Sequence, residues 1–424
     1  MPVLFAILLL SAPLYVWRFS IGIFGFELPT NFLMVFTFVV IAAAKLYVFK
    51  KQGYSVIEAW KSYIADMKGM DRLFWIGLGL ISLASLISLF AFGVNSEKFA
   101  QWFVLYLEPI SIFIIVRHFA LRDTDTKYNV LRYVSLAAYW LLFAAGIIAI
   151  YQYTTLDLLP KDWWGNANEP KRAIAFFAHP NAYALFATPL LAWLLPDVVR
   201  RAQALWATAR RVSGERGNLW LQFLCVVAWL VGGIGWFLTL SRGAWLGLLV
   251  AAGLFVLLSA NKKLMMAFAG ALVVMAIVVA SVPNLRYRVT LPFYGEKSAA
   301  ARLSLWDTGT KMLKDSPPQS LIFGKGINGF SDNWDKFNTD PNLEHYNFPH
   351  NIFLNLWIDL GLLGLLGFIF VMISAIWRGV KNRENPKALG LLLFVVAIIA
   401  HGLIDIPYLK NDLALMFWMI YAVS

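Results

Sequence analysis

The sequence predicts an all-α, polytopic membrane protein, and three observations carry that prediction. The 424 residues are 60% hydrophobic, with a mean hydropathy of +0.66. Only 14% are charged, against roughly 25% in an ordinary soluble domain. Apolar runs of about 20 residues recur along the chain, the length that crosses a bilayer as a helix. A membrane β-barrel would instead show spans of about 10 residues in strict alternation, and no such pattern is present.

Taken in order, the apolar runs predict twelve spans, at about 2–18, 30–49, 72–92, 100–118, 130–152, 180–199, 220–240, 243–260, 264–282, 351–377, 388–406 and 411–424. The first run lacks a basic start and others follow it, so it reads as a retained helix and not as a signal peptide. The chain then divides into residues 1–282 with nine spans, a large outer loop at 283–349, and residues 350–424 with the last three spans. The net charge is +12. With the N-terminus in the cytoplasm, the positive excess falls on the inner side, as the positive-inside pattern requires. One inner loop alone holds Arg200, Arg201, Arg210, Arg211 and Arg216. The basic balance therefore reads as topology and contact with anionic membrane lipid, not as nucleic-acid binding. Cys225, alone and mid-span, forms no intrachain disulfide and reads as a small core side chain. No internal repeat or matching pair of interrupted helices is visible, which disfavours a transporter built from inverted halves.

The outer loop of some 67 residues has structure of its own. Residues 298–315 read as a helix that Ser298 can cap and Ser316-Pro317-Pro318 stops, with Leu303, Trp306 and Leu313 on one face. Residues 324–330, Gly-Lys-Gly-Ile-Asn-Gly-Phe, then force a turn-rich segment. Such a loop is too small for a catalytic domain but large enough for a lid, and ordered long loops are usually functional. A shorter outer loop, about 153–179, carries Trp163, Trp164, Lys171 and Arg172 before His179-Pro180-Asn181. Paired tryptophans at a span edge fit an interfacial belt.

The outer face collects Arg172, Arg242, Arg286, Arg288 and Arg302 together with His350. Arg242 is the sharpest, set in Ser241-Arg242-Gly243 between two strongly apolar spans. An arginine at membrane depth costs roughly 2.5–3.5 kcal/mol on insertion scales, so it faces a cavity or an anion unless it snorkels outward. Arg172, Arg288 and Arg302 could each be solvated loop charges, but guanidinium forks match phosphate oxygens in bidentate fashion. His350 follows Pro349 and opens a span, where a neutral imidazole can act as general base. His118 reads as an inner-surface residue, and His179 as a possible companion of the same outer cavity. His345 has no metal cluster around it, and His401 with Asp405 at i, i+4 reads as a structural hydrogen bond at least as readily as a functional pair. Residues 324–329 match G-x-G-x-x-G, but no strand–helix unit surrounds them, so dinucleotide binding is rejected; their N–H groups could still help to hold an anion. Asp123-Thr124-Asp125 lies in an inner loop too short for a nucleotide-sugar domain, and Ser241 lacks a G-x-S-x-G context.

These residues together resemble the bacterial O-antigen ligase–polymerase superfamily. The resemblance rests on Arg172…His179-Pro180-Asn181, Ser241-Arg242-Gly243-Ala244-Trp245, Arg302…Trp306, Gly324…Gly326…Gly329-Phe330, and His350-Asn351 running into Trp357…Gly361…Gly364. The hydropathy layout extends it over nearly the whole chain, and His179 departs from the Asn that many relatives carry before Pro-Asn. The resemblance implies a GT-C-type membrane glycosyltransferase in the bacterial inner membrane, acting at the periplasmic face without metal, cofactor or nucleotide. Its donor would be an undecaprenyl-pyrophosphate-linked glycan and its acceptor a sugar hydroxyl of lipid A–core oligosaccharide. His350 would be the base, and Arg172, Arg242, Arg288 and Arg302 would hold the pyrophosphate, with inversion at the anomeric carbon. An O-antigen polymerase or a protein O-oligosaccharyltransferase would share the donor and differ in the acceptor. A lipid or sugar transporter would use the arginines to move an anion without cleaving it.

Overall fold

A computed structural model describes residues 1–23, 26–53, 55–66, 69–122, 129–166, 169–209, 219–291, 297–341 and 343–424. Arg210, Arg211, Arg216 and the Asp123-Thr124-Asp125 stretch lie outside these residues. Eight of the described helices are long and apolar enough to cross a membrane: Arg72–Ala91, Ser96–Arg122, Val130–Thr155, Pro180–Ala207, Leu219–Phe237, Arg242–Ser259, Lys262–Ser281 and Ile352–Lys381. Phe32–Val48, Pro386–Gly402 and Asn411–Val423 are shorter apolar helices. The expected first span, 2–18, takes another form. It is a helix at Pro2–Leu10 and a 3₁₀ turn at Ala12–Val16, followed by a strand pair, Arg18–Ile23 against Phe26–Asn31.

Two compact units share the chain. The first holds residues 1–135, 301–377 and 402–424. At its centre is Asn411–Val423, in which every residue is buried. Thirteen residues make a helix of about 20 Å, shorter than a bilayer core of roughly 30 Å, and protein surrounds this one. Its Trp418 and Tyr421 pack with Phe74 and Phe113 at ring separations of 5.2–6.3 Å. The Trp418 indole donates to the Tyr408 hydroxyl at 2.9 Å, which donates on to the Leu105 carbonyl at 3.1 Å. Gly77 and Gly367 let helices Arg72–Ala91 and Ile352–Lys381 touch backbone to backbone.

The helix Ile352–Lys381 breaks at Gly361, where φ is 70°. The turn-rich segment of the outer loop fills the break. Backbone N–H groups of Lys325 and Gly326 donate to the carbonyls of Ile358 and Asp359 at 2.7 and 3.2 Å. Ser88 donates to the same Asp359 carbonyl at 2.9 Å. A Cβ at Gly361 would run into the Ile322 carbonyl, and one at Gly326 into Phe92. The glycines of the G-x-G-x-x-G run thus serve close packing against a broken helix. The long loop helix runs over Lys297–Lys314 as expected, but its buried stripe is Leu305, Thr308 and Met312, joined to Phe330, Trp334, Phe337 and Ile358. Leu303, expected on the packed face, is 64% exposed. Leu313, from the same expected face, does pack against this cluster, and Trp306 is half-buried, so only the Leu303 end of that face turns outward.

The second unit holds residues 136–300 and 378–401. Here Gly146 meets Gly232 and Gly235, so that Val130–Thr155 and Leu219–Phe237 pack at backbone distance. Pro180–Ala209 is mostly buried despite Pro189 and Pro196 inside it. It carries Asp197, which accepts from Tyr139, Arg200 and Arg201 at 2.6–3.0 Å. Cys225 is buried, as its place in the span predicts.

Candidate active site

Three of the expected arginines come together in the second unit, around the break between helices Leu219–Phe237 and Arg242–Ser259. A helix C-terminus leaves carbonyls without helical partners, and they attract cationic donors. Leu240 sits in the left-handed region at φ 51° and turns the chain. Thr239 Oγ1 donates to the Trp236 carbonyl at 2.7 Å and accepts from the Ser241 N–H at 3.3 Å. The exposed carbonyls then each find a donor. The Ala173 N–H takes Leu238 at 3.0 Å, Arg172 Nε takes Thr239 at 2.8 Å, and Arg288 Nε takes Leu240 at 3.2 Å. Arg242 opens the next helix and its Nη1 donates to the Arg288 carbonyl at 3.2 Å. Three guanidiniums are therefore fixed on one helix break, beside the positive N-terminal end of Arg242–Ser259, an arrangement that favours an anion.

The loop that carries Arg172 is held by a residue that the sequence reading passed over. Gln152, buried in Val130–Thr155, accepts from the N–H groups of Ile174 and Ala175 at 3.1 and 2.9 Å. Its amide donates to the carbonyls of Leu158 and Ala175 at 3.0 and 2.7 Å. A lone amide in an apolar span was the available signal. Arg172 Nη2 also donates to Asn181 Oδ1 at 2.7 Å, and the guanidinium lies 5.9 Å from the Trp163 ring. His179 stacks edge-on against Trp163 at 4.5 Å, and its Nδ1 accepts the Asn181 N–H at 3.1 Å. Arg286 is exposed on the helix Pro283–Thr290.

His350 and Arg302 belong to the first unit and meet on one short segment, residues 403–405. His350 sits in the left-handed region at φ 49°, just before the helix Ile352–Lys381. Asn351 caps that helix through its Oδ1, accepting from Phe353 and Leu354 at 3.0 Å each, and its amide donates to the Leu403 carbonyl at 3.0 Å. Arg302 Nε donates to the Ile404 carbonyl at 3.0 Å. His350 Nδ1 lies 3.0 Å from Asp405 Oδ1, which also accepts the Ile406 N–H at 2.9 Å. Asp405 is 4% exposed and His350 26%. An ionised carboxylate only accepts, so an ionised Asp405 would place the ring hydrogen on Nδ1 and leave the Nε2 lone pair free. The Tyr346 ring packs edge-on against His350 at 5.7 Å.

Two expectations for histidines change. Asp405 was read as a partner of His401 at helical spacing, but the helix ends at Gly402, and Asp405 instead turns to His350. His118, read as a surface residue, is buried and pairs with Asp66 at 2.5 Å.

The fold is that of an α-helical protein with many apolar spans, carrying a histidine–aspartate pair in one unit and an arginine group in the other. Residues 225–369 match the family model described as O-antigen ligase, which supports membership of the O-antigen ligase superfamily. Members of that superfamily are glycosyltransferase-like O-antigen ligases or polymerases. The match includes Arg242, Arg288, Arg302 and His350, and stops short of Arg172 and Asp405. An uncharacterized protein of Haemophilus influenzae (strain ATCC 51907 / DSM 11121 / KW20 / Rd) is 26% identical over 164 residues, which cover 34% of this chain and 40% of that one. The chain thus spans about two-fifths of the length of that curated relative.

Proposed function

We propose that this protein is a metal-independent, inverting membrane glycosyltransferase of the GT-C type, an O-antigen ligase. It transfers a glycan from undecaprenyl pyrophosphate to a sugar hydroxyl of lipid A–core oligosaccharide at the periplasmic face of the bacterial inner membrane. The observation that carries the proposal is the His350–Asp405 pair, in which the carboxylate holds Nδ1 and leaves Nε2 to act as base. The acceptor hydroxyl gives its proton to Nε2. Its oxygen forms the new bond at the anomeric carbon as the bond to the pyrophosphate breaks, and the pyrophosphate leaves with the electron pair. Arg172, Arg242 and Arg288, with Arg302, bind the departing charge, so neither a divalent ion nor a nucleotide is needed. A single displacement of this kind inverts the anomeric carbon.

The test is purified protein in detergent with a lipid-linked glycan, offered lipid A–core, no second acceptor, or a protein acceptor in parallel. Covalent product on lipid A–core alone, in the presence of EDTA and without ATP, is the expected result. Chain extension of the donor would make the protein a polymerase, and glycosylated protein a protein O-oligosaccharyltransferase. Accumulation across vesicles with no cleavage would replace the proposal by a transporter.

A further inference from the structure

We propose that the outer loop and the outer end of helix Arg72–Ala91 form a binding site for the headgroup of a net-anionic phospholipid, with Lys325 and Lys336 as its ligands. The two ammonium groups share one aromatic ring: their Nζ atoms lie 5.5 and 5.1 Å from the centroid of Phe337. Phe337 is itself packed into the loop core with Leu305, Phe330 and Trp334. Two like charges gathered on one ring repel each other and need a counter-charge. Among the described residues neither lysine is in an ion pair: Asp332 pairs with Lys98 at 2.7 Å and Asp307 with Lys311 at 2.6 Å, and Asp315 acts on Lys325 without forming an ion pair with it. Burial first, and then the charge of Lys336, hold the Lys325 amine below the usual lysine range, while Asp315 pulls the other way. A bound anion would relieve both lysines.

The surroundings say that the anion is carried by a lipid. Lys325 sits in the segment that fills the Gly361 break, and its neighbour Gly326 packs on Phe92, just beyond the apolar helix Arg72–Ala91. The short helix Pro318–Phe323 packs against that same helix. Large apolar side chains stand exposed here: Phe90 at 68%, Phe92 at 37% and Ile322 at 43%. An apolar rim beside paired lysines is the chemistry of a membrane interface, with acyl chains on the rim and phosphate on the amines. The site lies outside the His350 and arginine groups and does not depend on the proposed transfer reaction.

The full-length protein, purified and exchanged into mixed micelles holding phosphatidylglycerol and phosphatidylcholine in equal amounts, is read by native mass spectrometry for retained lipid. Wild type is expected to keep phosphatidylglycerol in preference to phosphatidylcholine. The double variant K325Q/K336Q is expected to lose that preference by about thirtyfold, at roughly tenfold or less per lysine. K325R/K336R should keep it, which separates loss of charge from loss of fold, and R242A and H350A should also keep it. Equal retention by wild type and K325Q/K336Q, or no preference in wild type, would overturn the site. Full displacement of the lipid by excess inorganic phosphate would overturn the lipid as its ligand and leave a site for free phosphate.

Discussion

Replacing Asp405 by Asn probes the orienting carboxylate with almost no change in shape. The amide oxygen can still accept both the Ile406 N–H and the His350 Nδ1–H, but the negative charge that strengthens the 3.0 Å bond to the ring is lost. A hydrogen bond to a charged group is worth about 1.5–3 kcal/mol and a neutral one about 0.5–1.5 kcal/mol, a difference of about 1–1.5 kcal/mol. At a factor of ten in rate for each 1.36 kcal/mol, the turnover number should fall by about 5- to 13-fold. His350→Ala removes the base itself and should cost about 10²–10⁴-fold. Because Asp405 acts through His350, D405N in the H350A background should cost nothing further, the non-additivity expected of groups in one network. The assay is initial-rate glycan transfer, with donor affinity measured separately and the thermal midpoint checked for each variant. Wild-type turnover in D405N, or an equal loss from D405N with and without His350, would refute the orienting role.

Three further outcomes follow from the geometry. Alanine at Arg172, Arg242 or Arg288 should each lower kcat/KM for the lipid diphosphate by about 10- to 150-fold, from the loss of a charge-assisted contact; lysine at 242 should not restore it, since an ammonium cannot reproduce the fork that bonds the Arg288 carbonyl. Unchanged kinetics would remove that arginine from the site. Gly361→Ala should lower the thermal midpoint, because φ there is 70° and the new Cβ would meet the Ile322 carbonyl; a side chain in that sparsely populated backbone region alone costs about 1–3 kcal/mol, and an unaltered midpoint would contradict the break. The Lys325 amine has a folded-state pKa below its unfolded value. The folded state therefore holds that proton less tightly, and stability should rise as pH climbs from the lowered folded value towards the unfolded one. Thermal melts across the alkaline range should show a shallower rise in Lys325→Met, and identical slopes would oppose the assignment.

Much of the fold was legible because a bilayer selects for length and apolarity, and both are local. The helix Arg242–Ser259 begins and ends within two residues of its expected span, and Lys262–Ser281 is nearly as close. The strand pair Arg18–Ile23 and Phe26–Asn31 was not legible, since the apolar run before it masked the turn at Ala12–Val16. The burial of Asn411–Val423 on all sides was hidden too, because hydropathy does not distinguish lipid from protein neighbours. In the site, Arg242 and His350 stood out as polar groups at span edges. Asp405 did not: it lies 55 residues from His350, and helical spacing pointed to His401. That spacing holds only while the helix continues, and it stops at Gly402. Gln152 was passed over because one amide in a span of 26 residues barely changes its hydropathy, although its four hydrogen bonds set the Arg172 loop.

The central claim is that an Asp405-oriented imidazole deprotonates an alcohol which displaces a lipid diphosphate in one step. The most direct measurement is the anomeric configuration of the product, read by NMR after transfer by purified wild-type protein, with H350A run beside it on the same donor. The account predicts an inverted linkage from wild type and bound but uncleaved donor with H350A. A retained linkage, or product from H350A at close to the wild-type rate, would contradict it.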